Sequence, residues 1–137
     1  MTDRQNYNQK VIEEFRASRD TGAVPLDNRS LVLLTTTGAK TGKHHTTPVR
    51  VFFDGDKIFV IASKGGAPTN PDWYTNLVAH PEVTVEIGKE TFQAQAVVTT
   101  GAERERLWTQ ATHTEPAFAE YQAKATRQIP LIMLERR

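Results

Sequence analysis

The chain has 137 residues, enough for one domain with one core and too few for two. Its 17 Lys and Arg nearly balance 16 Asp and Glu, and the formal charge of +1 argues against a general nucleic-acid binder, which carries a basic excess. With 0 cysteines it has no disulfide, thiolate nucleophile or cysteine-ligated metal. Apolar residues make up 38% and charged residues 24%, a globular rather than a disordered composition. No apolar run approaches the roughly 18 residues of a transmembrane segment. MTDRQNYNQK has no apolar stretch behind a basic start, which predicts a cytoplasmic chain without a secretory leader.

Taken in chain order, residues 5–19 predict an amphipathic helix, because Tyr7, Val11, Ile12 and Phe15 recur at helical spacing, and Gly22 and Pro25 stop it. Residues 30–37 (SLVLLTTT) predict a strand, and 38–45 a polar turn. Residues 46–53 predict a second strand, in which Pro48 marks an edge, a bulge or the strand's beginning. Asp54-Gly55-Asp56 turns it into a third strand at 57–62. Residues 63–70 read as a loop, and Asn70-Pro71-Asp72 as a helix start with Asn70 as its cap. Strands at 83–87 and 90–98 meet at Gly88-Lys89. Thr100 and Glu103 have capping-box spacing before a helix carrying Leu107, Trp108 and Ala111. Pro116 starts another helix, with Phe118, Tyr121 and Ala125 on one stripe, and 129–134 (IPLIML) is the last strand. Short links cannot make parallel crossovers, so the sheet is mostly antiparallel, and about six strands in so small a chain curl into a barrel that removes exposed edges. The expectation is a single α+β domain over 1–137, with 1–25 as N-terminal helix and connector.

Two stretches carry chemistry. TTTGAKTGKHHTTPVR (35–50) gathers Lys40, Lys43, His44, His45 and Arg50 around two glycines and several hydroxyls, the makings of an anion cradle. A solvated hairpin turn would use the same residues. It is not a phosphate-binding loop of the nucleotide triphosphatases, since no glycine stands immediately before Lys40, none lies five positions earlier and no helix follows. Ser63-Lys64-Gly65-Gly66, at a strand end, suggests backbone brought close to a ligand, or a turn that needs positive φ. Trp73 and Tyr74 suit a core as well as a platform. No metal site is expected, because His44 and His45 diverge on a strand while His80 and His113 stand apart. Ser63 lacks the nucleophile elbow of a hydrolase.

The strings LLTTTGAKTGKHHTTPV, IASKGGAPTNPDWYTNLVAHPEVTVE and YQAKATRQIPLIMLE, covering roughly 30–135, resemble the deazaflavin-dependent nitroreductase family. The resemblance implies a six-stranded split β-barrel like those that bind FMN, with coenzyme F420 as cofactor. It implies that Lys40, with Thr41, Gly42, Lys43 and His45, holds the coenzyme's phosphate and oligoglutamyl tail. Ala62, Ser63, Lys64, Gly65 and Gly66 would lie against the ring system, and Thr47, Pro48, Val49, Arg50 and Asn76 would complete the cofactor set. Trp73, Phe118 and Tyr121 would shape the substrate pocket, with Ser63 and Tyr121 as candidate catalytic groups that polarise the acceptor. The chain departs from the family at Ala39 and His45, where arginines are common, and at Glu115 and Phe118, where nitroimidazole-activating members carry tyrosines. Glu115 is expected to add negative charge at the pocket mouth.

The implied reaction is hydride transfer from reduced deazaflavin to a small activated acceptor, a quinone, enone or nitro compound. Two alternatives stay open at this point: an FMN-dependent oxidoreductase on a related barrel, and a non-catalytic binder of a deazaflavin or another anionic ligand. The physiological acceptor is open, as is oligomeric state, a homodimer being one option.

Overall fold

The structure, a computed structural model, describes residues 3–18 and 31–137. The expected end of the first helix at Gly22 and Pro25, and Ser30 at the next strand, lie outside the described residues. The elements are α1 (Asp3–Ser18), β1 (Leu31–Thr37), β2 (His44–Asp54), β3 (Lys57–Ile61), a 3-10 turn (Lys64–Gly66), α2 (Asp72–Ala79), β4 (Glu82–Ile87), β5 (Glu90–Val98), α3 (Gly101–Thr114), α4 (Ala117–Lys124) and β6 (Leu131–Arg136). The six strands close into a barrel in the order β1-β2-β3-β6-β5-β4, and every pair is antiparallel.

Side chains alternate faces along a strand, and in β3 and the start of β6 both faces are buried. Val32 and Leu34, Val49 and Val51, Ile58 and Val60, Val83 and Val85, Ala94 and Ala96, and Ile132 and Leu134 fill the interior. Their neighbours Phe52, Phe59, Ile61, Leu131 and Met133 point outward and pack under α3 and α4 through Leu107, Ala111 and Phe118. This explains the unbroken apolar reading of strands such as IPLIML. Ile12 and Phe15 of α1 cover Leu33 on another outer face, and Arg16 locks α1 to β4 with two bonds to the Glu86 carboxylate, at 2.8 and 3.2 Å. Tyr7, expected on the buried stripe, is 53% exposed.

Several local expectations change. His44 and His45 belong to β2 rather than to the turn, because they pair with Thr37 and Thr36. The last strand starts at Leu131, two residues later than its apolar run suggests. Neither predicted cap forms its side-chain bond: Pro71 occupies the N-cap of α2 and Thr100 that of α3 without one. The Asn70 Oδ1 instead accepts from the Arg127 guanidinium at 2.7 Å. Pro48 resolves to an edge position. Residues 44–50 of β2 pair with β1 and residues 51–54 with β3, so the first half of β2 has one edge outside the sheet.

Helix α2 plugs the barrel beside that edge, burying Trp73 and Leu77 in the interior cluster. Leu77 is 1% exposed, so Leu77→Ala leaves a cavity and should cost about 2–5 kcal/mol. Urea unfolding checks this, with the midpoint expected to fall at an unchanged slope.

Candidate active site

A groove follows the free edge of β2. One end is a cavity of about 770 Å³ lined by Gly38, Ala39, Lys40, Thr41, His44, His45, Thr46, Thr47 and Asn76, with Asn8, Gln9 and Ile12 of α1 as the opposite wall. The other end, about 540 Å³, is lined by Thr47, Pro48, Val49, Arg50, Ser63, Lys64 and Phe118, with Tyr7 closing it from α1. Asn8, Thr47, Asp72 and Trp73 line both, so the two are halves of one groove.

The basic turn is shaped by its own backbone. The Gly38 N–H donates to Lys43 O (2.7 Å) and the Gly42 N–H to Gly38 O (2.9 Å). Gly38 is tightly enclosed: a Cβ would come 2.8 Å from Thr41 Oγ1 and 3.2 Å from Lys43 O, so a side chain there would push the turn's own atoms aside. Asn76 then ties the turn to α2: its Oδ1 accepts from the Ala39 N–H (3.0 Å) and its Nδ2 donates to Thr36 Oγ1 (3.3 Å). Asn76 lines the groove, but both ends of its amide are already engaged within the protein. Lys40 is exposed and has no hydrogen bond or ion pair among the described residues, which leaves its ammonium available to an anion in the groove.

The second turn is backbone-strained. Lys64, Gly65 and Gly66 all have positive φ, at 47°, 65° and 84°. Lys64 is the one non-glycine residue with positive φ among the described residues, and such outliers persist where the surroundings over-determine them. Its Nζ donates to Thr69 Oγ1 at 3.1 Å. A Cβ on Gly66 would come 2.7 Å from the Tyr121 carbonyl oxygen, so this glycine is required by its approach to α4. At Gly65 nothing lies within 4 Å of that position.

The aromatic end is layered. The Phe118 ring meets Phe52 and Tyr121 edge-on, each at 5.3 Å, and Phe118 itself lines the groove. Tyr121 lines neither cavity. Gly42, Lys43, Ala62, Gly65 and Gly66 likewise line neither, whereas Lys40, Thr41, His45, Thr47, Pro48, Val49, Arg50, Ser63, Lys64, Trp73, Asn76 and Phe118 line one cavity or both.

Glu115 does not present a free negative charge, as the sequence suggested. Its Oε2 meets Arg50 Nη2 at 3.4 Å, and the Arg50 guanidinium rests over the Phe52 ring at 5.3 Å. The Arg50 Nε is buried without a hydrogen-bond partner. The residues that sequence reasoning missed are Tyr7, Asn8 and Gln9, which wall the groove from α1, and Arg127, which holds the second turn. For the α1 residues no local motif exists. For Arg127 the only signal was its place inside the YQAKATRQIPLIMLE string.

A family model described as F420H(2)-dependent quinone reductase matches residues 8–136. The chain belongs to this family. An F420H(2)-dependent quinone reductase of Mycobacterium tuberculosis is 40% identical over 110 residues, 77% of this chain and 73% of that protein. A solved F420-H2 dependent reductase, FDR-A, superposes with a TM-score of 0.71 at 42% identity, over 78% of this chain and 95% of that one. A chain described as a domain-swapped dimer has a TM-score of 0.74 at 37% identity, over 91% and 96% of the respective chains. Membership makes the protein an F420-dependent oxidoreductase and confirms the deazaflavin reading over the FMN one. The barrel is the expected fold. Among the described residues no helix is long and apolar enough to cross a membrane.

The residues present fit such a coenzyme. The groove has the exposed Lys40, unpaired among the described residues, beside hydroxyls and histidines at one end and aromatic walls at the other, as a ring with an anionic tail requires. The two glycines of the second turn separate packing from conformation. Gly66→Ala meets both a backbone clash and a left-handed φ, and should cost roughly 2–5 kcal/mol. Gly65→Ala meets only the second and should cost about 1–2 kcal/mol. Chemical unfolding of the two variants reads the difference.

Proposed function

We propose that the protein reduces neutral quinones, with the tail of F420 over the basic turn and its ring system between Ser63–Gly66 and Trp73. The observation that carries this is the groove itself, whose Lys40 end is cationic and unpaired and whose far end is lined by Trp73 and Phe118. Reduced F420, when bound, would supply a hydride, and the quinone takes up one further proton to become the hydroquinone. Lys40 binds the anionic tail as a point charge, supported by Thr41, Lys43 and His45. Asn76 orients the turn that carries Lys40. Trp73 and Phe118 exclude water from the reacting face. Ser63 is the hydroxyl that donates a hydrogen bond to a quinone oxygen as negative charge develops there. Water on the solvent side of the quinone supplies that one proton. Tyr121 serves this site through Phe118 and Gly66, whose positions it supports. A homodimer and a cytoplasmic location belong to the same reading; light scattering tests the first.

Two measurements bear on this. By calorimetry, F420 should bind more tightly than FMN, with affinity falling as salt rises because exposed charges are screened over about 8–10 Å. Lys40→Ala should weaken F420 binding about fivefold, the worth of roughly 1 kcal/mol for an exposed charge contact. An unchanged dissociation constant would return Lys40 to the solvated-turn reading.

The acceptor is read from kcat/KM for menadione, cyclohexenone and a bicyclic nitroimidazole. Menadione should be best and the nitroimidazole worst, since Phe118 offers a ring without a hydroxyl donor. Because Arg50 already neutralises Glu115, Glu115→Gln should leave menadione turnover nearly unchanged. It should favour anionic hydroxynaphthoquinones, whose charge would then meet an unpaired guanidinium. A nitroimidazole ranking first would sink the pocket reading.

A further inference from the structure

The link between α4 and β6 contains Arg127, which has no counter-ion among the described residues. The Arg127 guanidinium makes four hydrogen bonds, all to the segment that carries the second turn. Its Nε donates to Ala67 O (3.1 Å), its Nη1 to Ala62 O (3.2 Å) and Asn70 Oδ1 (2.7 Å), and its Nη2 to Ser63 O (2.9 Å). Among the described residues it forms no ion pair. Its own backbone is anchored by α4: Gln122 Nε2 donates to Arg127 O (2.7 Å), and Gln122 Oε1 accepts from the Ile129 N–H (2.8 Å). Burial holds the guanidinium below its ordinary pKa, the direction expected of a desolvated cation lacking a carboxylate.

A charge kept without a partner is costly unless its hydrogen bonds are fully used, and here they converge on both flanks of one strained turn. Lys64, Gly65 and Gly66 turn left-handed between the anchored carbonyls of Ser63 and Ala67. The left-handed Lys64 is disfavoured by the sterics of its own Cβ, so something outside the turn must hold it. A planar fork reaches four oxygens in different directions at once, which one ammonium cannot do.

We propose that Arg127 is the positioning residue that holds the Ser63–Gly66 turn in its left-handed course, and that it sets coenzyme affinity through that turn rather than by contact. The second clause rests on the coenzyme placement proposed above; the first does not. Arg127 lines neither half of the groove, so its effect on a ligand there is indirect.

The experiment uses the full chain with Arg127→Ala, and Arg127→Lys as the variant that keeps charge. Hydrogen exchange in the free protein follows the Gly66 and Ala67 amides, which donate to Ser63 O (2.9 Å) and Lys64 O (3.1 Å). Both variants should exchange there about tenfold faster or more, the scale of one lost charge-assisted bond, while the Gly38 and Gly42 amides stay unchanged. F420, titrated by fluorescence, should bind about tenfold more weakly or worse. Millimolar methylguanidinium should restore protection and binding to Arg127→Ala, and methylammonium should restore neither. Unchanged exchange at Gly66 in either folded variant overturns the proposal, as does equal rescue by methylammonium. If Arg127→Ala does not fold, Arg127→Lys carries the same exchange comparison. If F420 fails to bind the unsubstituted chain while exchange still responds to Arg127, the coenzyme placement falls and the hold on the turn stands.

Discussion

Burial of one face of every strand, and of both faces along β3 and the start of β6, is the constraint on which this structure depends. A six-stranded sheet that is apolar on its inner face, and on its outer face as well at β3 and β6, cannot lie open to water, so it closes on itself and then demands cover where the outside is apolar. The interior takes one alternate set of side chains, Val32 through Leu134, and α2 inserts Trp73 and Leu77 among them. The exterior set, led by Phe52, Phe59 and Met133, has to be roofed by α3 and α4. The positions of the helices therefore follow from where the barrel remains apolar after closure.

The candidate groove lies where that closure is incomplete. Residues 44–50 of β2 pair on one side only, and Pro48, which has no N–H to donate, sits in that stretch. A free strand edge, one helix end and a strained turn then meet along a single line. Three internal ties keep them there. Asn76 holds the basic turn against α2, the Tyr121 backbone leaves space for no residue but Gly66, and Arg127 gathers the carbonyls on both sides of that glycine pair. None of the three needs to touch a ligand to shape the place it occupies. Polar residues at a site thus divide into those whose donors remain free, such as Lys40, and those spent on the wall, such as Asn76.

Much of this was legible locally. The apolar and β-branched runs of strand length, the Asp-Gly and Gly-Lys turns and the short links lead to an antiparallel barrel, and the strings around Lys40 and Ser63 lead to a deazaflavin enzyme. Cap identity was not legible. Asn70 and Thr100 have the right chemistry at the right spacing, yet a cap forms only if nothing else claims the side chain, and Arg127 claims Asn70 from a point 57 residues away. Glu115 is a similar case. Its charge reads from sequence as a field at the pocket mouth, and its partner Arg50 lies 65 residues earlier on β2.

The sequence by itself determined the strands, the antiparallel connectivity, the family and the identity of the two turns, because those depend on residues within about ten positions of one another or on a contiguous string. The tertiary structure alone decided which polar groups stay available. Hydrogen bonds and ion pairs saturate, and a donor or acceptor engaged by a distant residue is lost to a ligand. The α1 wall of Tyr7, Asn8 and Gln9, the neutralised Glu115, the engaged Asn76 and the unpaired Lys40 are all outcomes of that competition. Folding settles it by bringing together segments that no local pattern connects.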